Sequence, residues 1–232
     1  MNKKTWVMVV LCLAWSLAVR ADDAVPPATH PDSTGWQDLF ARDLSNAVYP
    51  KDVWYFEGDV LTATQDQNIW TKAKYANAII DLEFKNAPGA NSGVFVYGSD
   101  MKDWVANSVE VQILDDWHPK WANAPRTWRC AGIFGRLAPS KSVVKAAGEW
   151  NRMTVTCLGP KIYVMLNGEM VTKMDMTLWT SGKKNPDGGD IPPWLSKPLA
   201  EMATDGHVGL QGKHGGCPIY FRSVKIKSLP NQ

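Results

Sequence analysis

Short segments of alternating apolar and polar residues recur along this chain, and that period of two limits its fold more than any other feature. In AIIDLEF (78–84), Ala78, Ile80, Leu82 and Phe84 share one side of an extended strand, and Ile79, Asp81 and Glu83 share the other. GVFVYG (93–98), RMTVTCL (152–158) and KIYVMLNG (161–168) follow the same style. In SVEVQILDD (108–116), Val109, Val111 and Ile113 oppose Ser108, Glu110 and Gln112. Gly159-Pro160 and Asn167-Gly168 break the pattern as hairpin turns do. The closing run IYFRSVKIKSL (219–229) slips phase near Ser223, as a bulge would make it. No segment keeps a long 3.6-residue period, and KPLAEM (197–202) offers one helical turn at most. The pattern predicts an all-β sandwich or barrel.

The N-terminus reads as a secretory signal peptide over residues 1–21: a basic start, a short apolar run, then small residues up to Ala21. A Pro- and Asp-rich flexible lead-in is expected over 22–34, and a single β domain over 35–230. Cleavage places the mature protein outside the cell or in the periplasm, with no further apolar run long enough to span a membrane. It removes Lys3, Lys4 and Arg20, so 22 basic residues face 23 acidic ones. A net charge near −1 lacks the basic footprint of a nucleic-acid or anionic-membrane binder. Of the mature cysteines Cys130, Cys157 and Cys217, one pair could form in an oxidising compartment and leave one thiol over.

Three regions carry candidate chemistry. The polar side of 108–116, with Glu110 and Gln112, is either a wet sheet face or the floor of a site. Trp117, Trp121 and Trp128 lie in the polar loop DDWHPKWANAPRTW (115–128), where they either tuck back over the sandwich or offer flat faces to a sugar ring. In GLQGKHGG (209–216), glycines flank Gln211, Lys213 and His214, and His214 is either a solvated turn residue or an acid–base group. The Gly/Pro-rich insertion at 180–194 is long enough to suggest a functional loop. H-E-x-x-H spacing, a G-x-S-x-G elbow and a phosphate-cradling loop are all absent.

Six motifs in order, GWQDLF (35–40), NSGVFVYG (91–98), VEVQILDD (109–116), GEWNRMTV (148–155), IYVMLNGEMV (162–171) and HVGLQGKHGGCPIYFRSVKIKSL (207–229), resemble the 3-keto-disaccharide hydrolase domain family. The resemblance implies a concanavalin A-like jelly-roll β-sandwich and a carbohydrate substrate. It implies cleavage of 3-keto-glycosides or 3-keto-disaccharides by C2 proton abstraction and loss of the C1 aglycone, giving net hydrolysis or a lyase reaction. A separate sugar 3-dehydrogenase would supply the keto-sugar. Glu110, Gln112 and Asp115 match the E-x-Q segment, Asn91 the N-S-G turn, His214 the H-G turn and Arg222 the F-R strand. The roles implied are His214 or Glu110 as base and Lys213 or Arg222 as oxyanion stabiliser. Asp115, Asn91, Gln112 and Gln211 would hold hydroxyls, with Trp117 and Trp121 as stacking faces. The resemblance fixes no cofactor, and a divalent metal bridged by Glu110 or Asp115 fits the same chemistry. The chain departs from the family at Val109, where an aromatic is usual, and at Phe134, where a tyrosine is usual.

Two rivals share this fold. One is a noncatalytic, lectin-like carbohydrate-binding module. The other is a retaining glucanase, which needs two carboxylates about 5–5.5 Å apart and usually supplies them from E-x-D-x-x-E. Here that strand reads E-V-Q-I-L-D.

Overall fold

The structure is a computed structural model that describes residues 28–230, so the expected leader and the first part of the lead-in lie outside the described residues. Thirteen strands follow one another there: β1 (Gln37–Asp38), β2 (Ala47–Val48), β3 (Trp54–Glu57), β4 (Val60–Ala63), β5 (Ile69–Tyr75), β6 (Ala78–Asn86), β7 (Asn91–Gly98), β8 (Val109–Leu114), β9 (Trp150–Leu158), β10 (Lys161–Leu166), β11 (Glu169–Asp175), β12 (Gly206–Leu210) and β13 (Ile219–Ser228). One four-residue helix, α1 (Trp104–Asn107), precedes β8. Among the described residues, no helix is long and apolar enough to cross a membrane.

The strands form two sheets. The larger runs β11-β10-β9-β6-β13-β4-β3, with β1 added on β13, and the smaller runs β2-β5-β12-β7-β8. Neighbours pair antiparallel, as short connections between alternating strands dictate. The apolar sides meet between the sheets. Ala78, Ile80, Leu82 and Phe84 of β6 are buried, as are Val109, Val111 and Ile113 of β8. Each Leu, Ile or Phe so buried contributes about 1.5–3 kcal/mol.

Local chemistry sets the connections. Asn167 and Gly168 take φ of 50° and 87°, the left-handed pair that a two-residue hairpin needs between β10 and β11. The phase slip in β13 is a register shift between Arg222 and Lys225, with Ser223 at φ 50°. This shift lets Ile219 and Phe221 before it, and Val224 and Ile226 after it, all face the core. Phe221 is 0 % exposed and lies 6.2 Å from the Trp54 ring. Phe221→Ala is expected to cost about 3–5 kcal/mol in denaturant unfolding. A loss well under 1 kcal/mol would show that this layer repacks freely.

Two expectations are corrected. The lead-in is not loose in its described part. The Gly168 amide donates to His30 Nε2 (2.8 Å), which leaves Nδ1 to donate to Thr154 Oγ1 (2.7 Å). Arg152 donates to the Pro31 carbonyl and pairs with Asp81, which also accepts from Ser33 (2.8 Å). This stretch therefore closes over the buried Asp81 on the larger sheet. The cysteines do not pair: Cys130, Cys157 and Cys217 are all free. Burial pushes the Cys130 thiol up and the Cys157 thiol to about 12, which makes both unreactive.

Candidate functional site

The smaller sheet turns one side to the core and the other to a cleft of about 300 Å³. Alternation in β8 places Glu110 and Gln112 on the cleft side because Val109, Val111 and Ile113 point inward. Register sets Gln112 opposite Gly93 and Glu110 opposite Phe95 on β7. Asn91, at the start of β7, accepts at Oδ1 from Gln112 Nε2 (3.0 Å). Gln211 follows β12 and is tied by its amide to the Gly93 carbonyl (2.9 Å). His214 bridges to Asn91 and reaches the rim.

Gly93 makes room for the carboxyl. A Cβ there would fall 2.7 Å from Glu110 Cγ and would collide with Oε1, so the Glu110 side chain lies across β7 only because Gly93 has none. Beside it runs an aromatic ladder. Trp70 stacks on Phe95 at 5.1 Å, and Phe95 meets Trp104 of α1 at 4.6 Å. Glu110 is half-buried among these rings and takes no hydrogen bond or ion pair among the described residues. Loss of hydration pushes its carboxyl up to about 8, so it holds its proton at neutral pH.

Such a carboxyl leaves a signature in stability. Its ordinary value is 4.5, so between that pH and about 8 the folded chain binds a proton that the unfolded chain has released. This contribution to stability is complete at low pH, falls as pH rises through that window, and is constant above it. Wild type is expected to lose denaturant stability from about pH 5 to about pH 8, and Glu110→Gln is expected to lose less. Superimposable pH profiles would place Glu110 in water.

The second reactive group is paired differently. His214 Nδ1 lies 2.8 Å from Asp66 Oδ2, in the loop between β4 and β5. A carboxylate only accepts, so Nδ1 carries a proton, and it is Nε2 that is left to face the cleft. Asp66 was not legible as a site residue. Further polar atoms await partners: Gln112 Oε1 and Gln211 Oε1 are buried with no hydrogen bond. Native structures seldom leave such acceptors without partners.

The cleft wall is aromatic. Trp104, Trp128 and Phe134 line it, with Trp128 and Phe134 at 5.1 Å from each other. The long insertion ends in Trp194 and Leu195, which complete this wall. Trp104, Trp194 and Arg136 of the lining were missed in the sequence, although the length of the insertion pointed toward Trp194.

Glu110, Gln112, Asn91, Gln211 and His214 thus meet at one cleft with Trp128, whereas Asp115, Arg222, Lys213, Trp117 and Trp121 do not. Asp115 is buried and accepts from the Gly89 amide (2.9 Å), since alternation ends with β8 and the following turn sets its direction. It can neither hold a sugar hydroxyl in the cleft nor share a metal there with Glu110. Among the described residues, no group of three or more His, Cys, Asp or Glu could hold a metal ion. Arg222 lies on the larger sheet, bonded to Glu83 (2.8 Å) and stacked over Trp150 (4.1 Å). Lys213 stays outside the lining, in the turn where its carbonyl accepts from the Gly216 amide. Trp121 donates to the Gly89 carbonyl beneath the loop (3.2 Å), and Trp117, 60 % exposed, donates to the Val144 carbonyl (2.8 Å) away from the cleft.

Comparison with known proteins adds four likenesses. A family profile described as the 3-keto-alpha-glucoside-1,2-lyase-like domain matches residues 32–227. The 3-keto-disaccharide hydrolase of Bacteroides thetaiotaomicron is 25 % identical over 177 residues, which is 67 % of this chain and 60 % of that protein. The chain therefore spans about 60 % of that relative's length. A crystal structure from Parabacteroides distasonis, assigned provisionally to the glycosyl hydrolases, is 52 % identical with a TM-score of 0.82, covering 84 % of this chain and 99 % of its own. A Bacillus subtilis protein with a galectin-like fold has a TM-score of 0.52 at 11 % identity, over 84 % of this chain and 95 % of its own, and shares the fold alone. The jelly-roll sandwich expected from the resemblance is the architecture found.

Proposed function

Because this chain belongs to the 3-keto-alpha-glucoside-1,2-lyase-like family, we propose that it cleaves 3-keto-glycosides by removing the C2 proton and expelling the C1 substituent. One observation carries the reading: a half-buried carboxyl without an ion-pair partner and an imidazole anchored by Asp66 share a single cleft. A ketone at C3 acidifies the C2–H. His214 Nε2 takes that proton, and Asp66 stabilises the imidazolium that forms. The electron pair moves toward the C3 oxygen, and the Glu110 O–H donates to the developing enolate. A neutral carboxylic acid can do this where a carboxylate would repel it. The pair then returns, C1=C2 forms, the C1–O bond breaks and the aglycone leaves with a proton. Addition of water at C1 makes the overall change a hydrolysis; without it the product is that of a lyase. Gln112 and Gln211 receive the sugar hydroxyls.

The substrate's ketone implies a separate oxidoreductase, a sugar 3-dehydrogenase, acting upstream. The reading includes export by the leader of residues 1–21. The test is to incubate the purified protein with a glycoside and with its 3-keto counterpart, and to follow aglycone release by mass spectrometry. Release from the keto-sugar alone is expected. Release from both would favour the glucanase, although Asp115, its second carboxylate, is turned from the cleft. Release from neither would favour the carbohydrate-binding module.

A further inference from the structure

The cleft has two unlike halves. Glu110, Gln112, Asn91 and Gln211 make a polar floor suited to a sugar, and Trp104, Trp128, Phe134 and Trp194 make an aromatic wall. One charge is set into that wall. Arg136 is 5 % exposed and sits in the tight turn between the bridged residues Ile133 and Leu137. Its NH2 donates to the carbonyls of Leu195 and Lys197 (2.8 Å for the latter), which fixes the end of the long insertion beside the wall. Its NH1 is buried and has no hydrogen-bond partner. Burial lowers its pKa only to about 10, so it remains a cation at neutral pH.

This arginine differs from the others that bond to acids. Arg152 has Asp81 at 2.8 Å and Arg222 has Glu83 at 2.8 Å. Arg136 has no carboxylate among the described residues. A buried guanidinium left half-satisfied is costly, and the cost is offset when an anion completes its bonds. The cleft provides no such anion of its own. Glu110 is the one carboxyl in its lining among the described residues, and loss of hydration works against its charged form. Lys197 adds a second cation to the same lining, held by Asn107 Oδ1 at 3.3 Å. Both cations of the lining, Arg136 and Lys197, thus stand at its aromatic end.

From this geometry we infer that the aromatic wall is a subsite for a planar aromatic group bearing a carboxylate, to which Arg136 supplies the counter-charge. That this group is the aglycone of the substrate rests on the keto-glycoside reading. The affinity of the wall for an aromatic carboxylate does not.

Two measurements separate these statements. In the first, 4-hydroxybenzoate and its uncharged amide are titrated into the full protein by calorimetry. The carboxylate is expected to bind on the order of 10–100-fold more tightly, as a charge-assisted bond to a buried partner allows. Arg136→Met should erase the preference and Arg136→Lys should keep part of it. Trp194→Ala should weaken both probes. Equal affinity of wild type for the two probes, absence of binding, or a preference that survives Arg136→Met would each overturn the inference. The comparison within wild type decides the matter even if a variant fails to fold. In the second measurement, 4-carboxyphenyl and 4-carbamoylphenyl 3-keto-glucosides are offered as substrates. Faster cleavage of the acid, seen in kcat/KM, supports both statements. Cleavage of neither, with Arg136-dependent binding intact, leaves the subsite standing and sinks the keto-glycoside reading. Equal cleavage of both sinks the role of Arg136 in the reaction and leaves that reading standing.

Discussion

His214→Ala is expected to lower turnover of a 3-keto-glycoside by about 10²–10⁴-fold, the range for loss of a placed proton-transfer group. The loss should appear mainly in kcat, because Nε2 acts on the moving proton and contributes little to holding the resting sugar. Asp66→Asn should cause a smaller loss of the same kind. The amide can still meet Nδ1, at 2.8 Å in the wild type, but it gives the imidazolium no counter-charge. Glu110→Gln should also cost orders of magnitude, since an amide N–H is a poorer donor to a growing enolate than a carboxylic acid. Steady-state kinetics on purified variants, with folding checked by circular dichroism, reads all three. Wild-type activity in both His214→Ala and Glu110→Gln would remove these residues from the chemistry while leaving the fold and family untouched.

Alternation reached the floor of this site and stopped at its edges. Glu110 and Gln112 were legible because the apolar side of β8 faces the core, so a one-residue shift would take Val109, Val111 and Ile113 out of it. The bulge at Ser223 and the Asn167-Gly168 turn were legible for similar local reasons. Asp66 was not. It stands 148 residues from His214 in the chain, and the two meet because β5 and β12 are neighbours in the sheet. No local pattern encodes that adjacency. Arg222 failed for the converse reason: its strand alternates well, but alternation does not say which of two sheets a strand joins. The tryptophans were misassigned because a loop aromatic carries no periodicity to orient it. Trp128 reached the cleft, while Trp117 and Trp121 of the same loop bonded to backbone carbonyls elsewhere.

The other large effect concerns the substrate. If proton loss at C2 starts the reaction, the ketone is indispensable, because an ordinary glycoside has no acidic C2–H. A parent glycoside is expected to occupy the cleft and stay intact, while its 3-keto form releases the aglycone orders of magnitude faster. The cleft floor of Gln112, Gln211 and Asn91 would meet both sugars alike under this reading, so the difference should lie in kcat more than in affinity. Reduction of the ketone with borohydride should abolish release, and re-oxidation at C3 should restore it.

The most direct measurement uses a 3-keto-glycoside labelled with deuterium at C2. Proton abstraction requires that C–D bond to break. Aglycone release should then be slower than from the unlabelled substrate, and the deuterium should appear in water and be missing from the sugar product. Release at an unchanged rate, with the label still at C2, would mean that the C1 bond is cut without touching C2, and the elimination mechanism would be wrong.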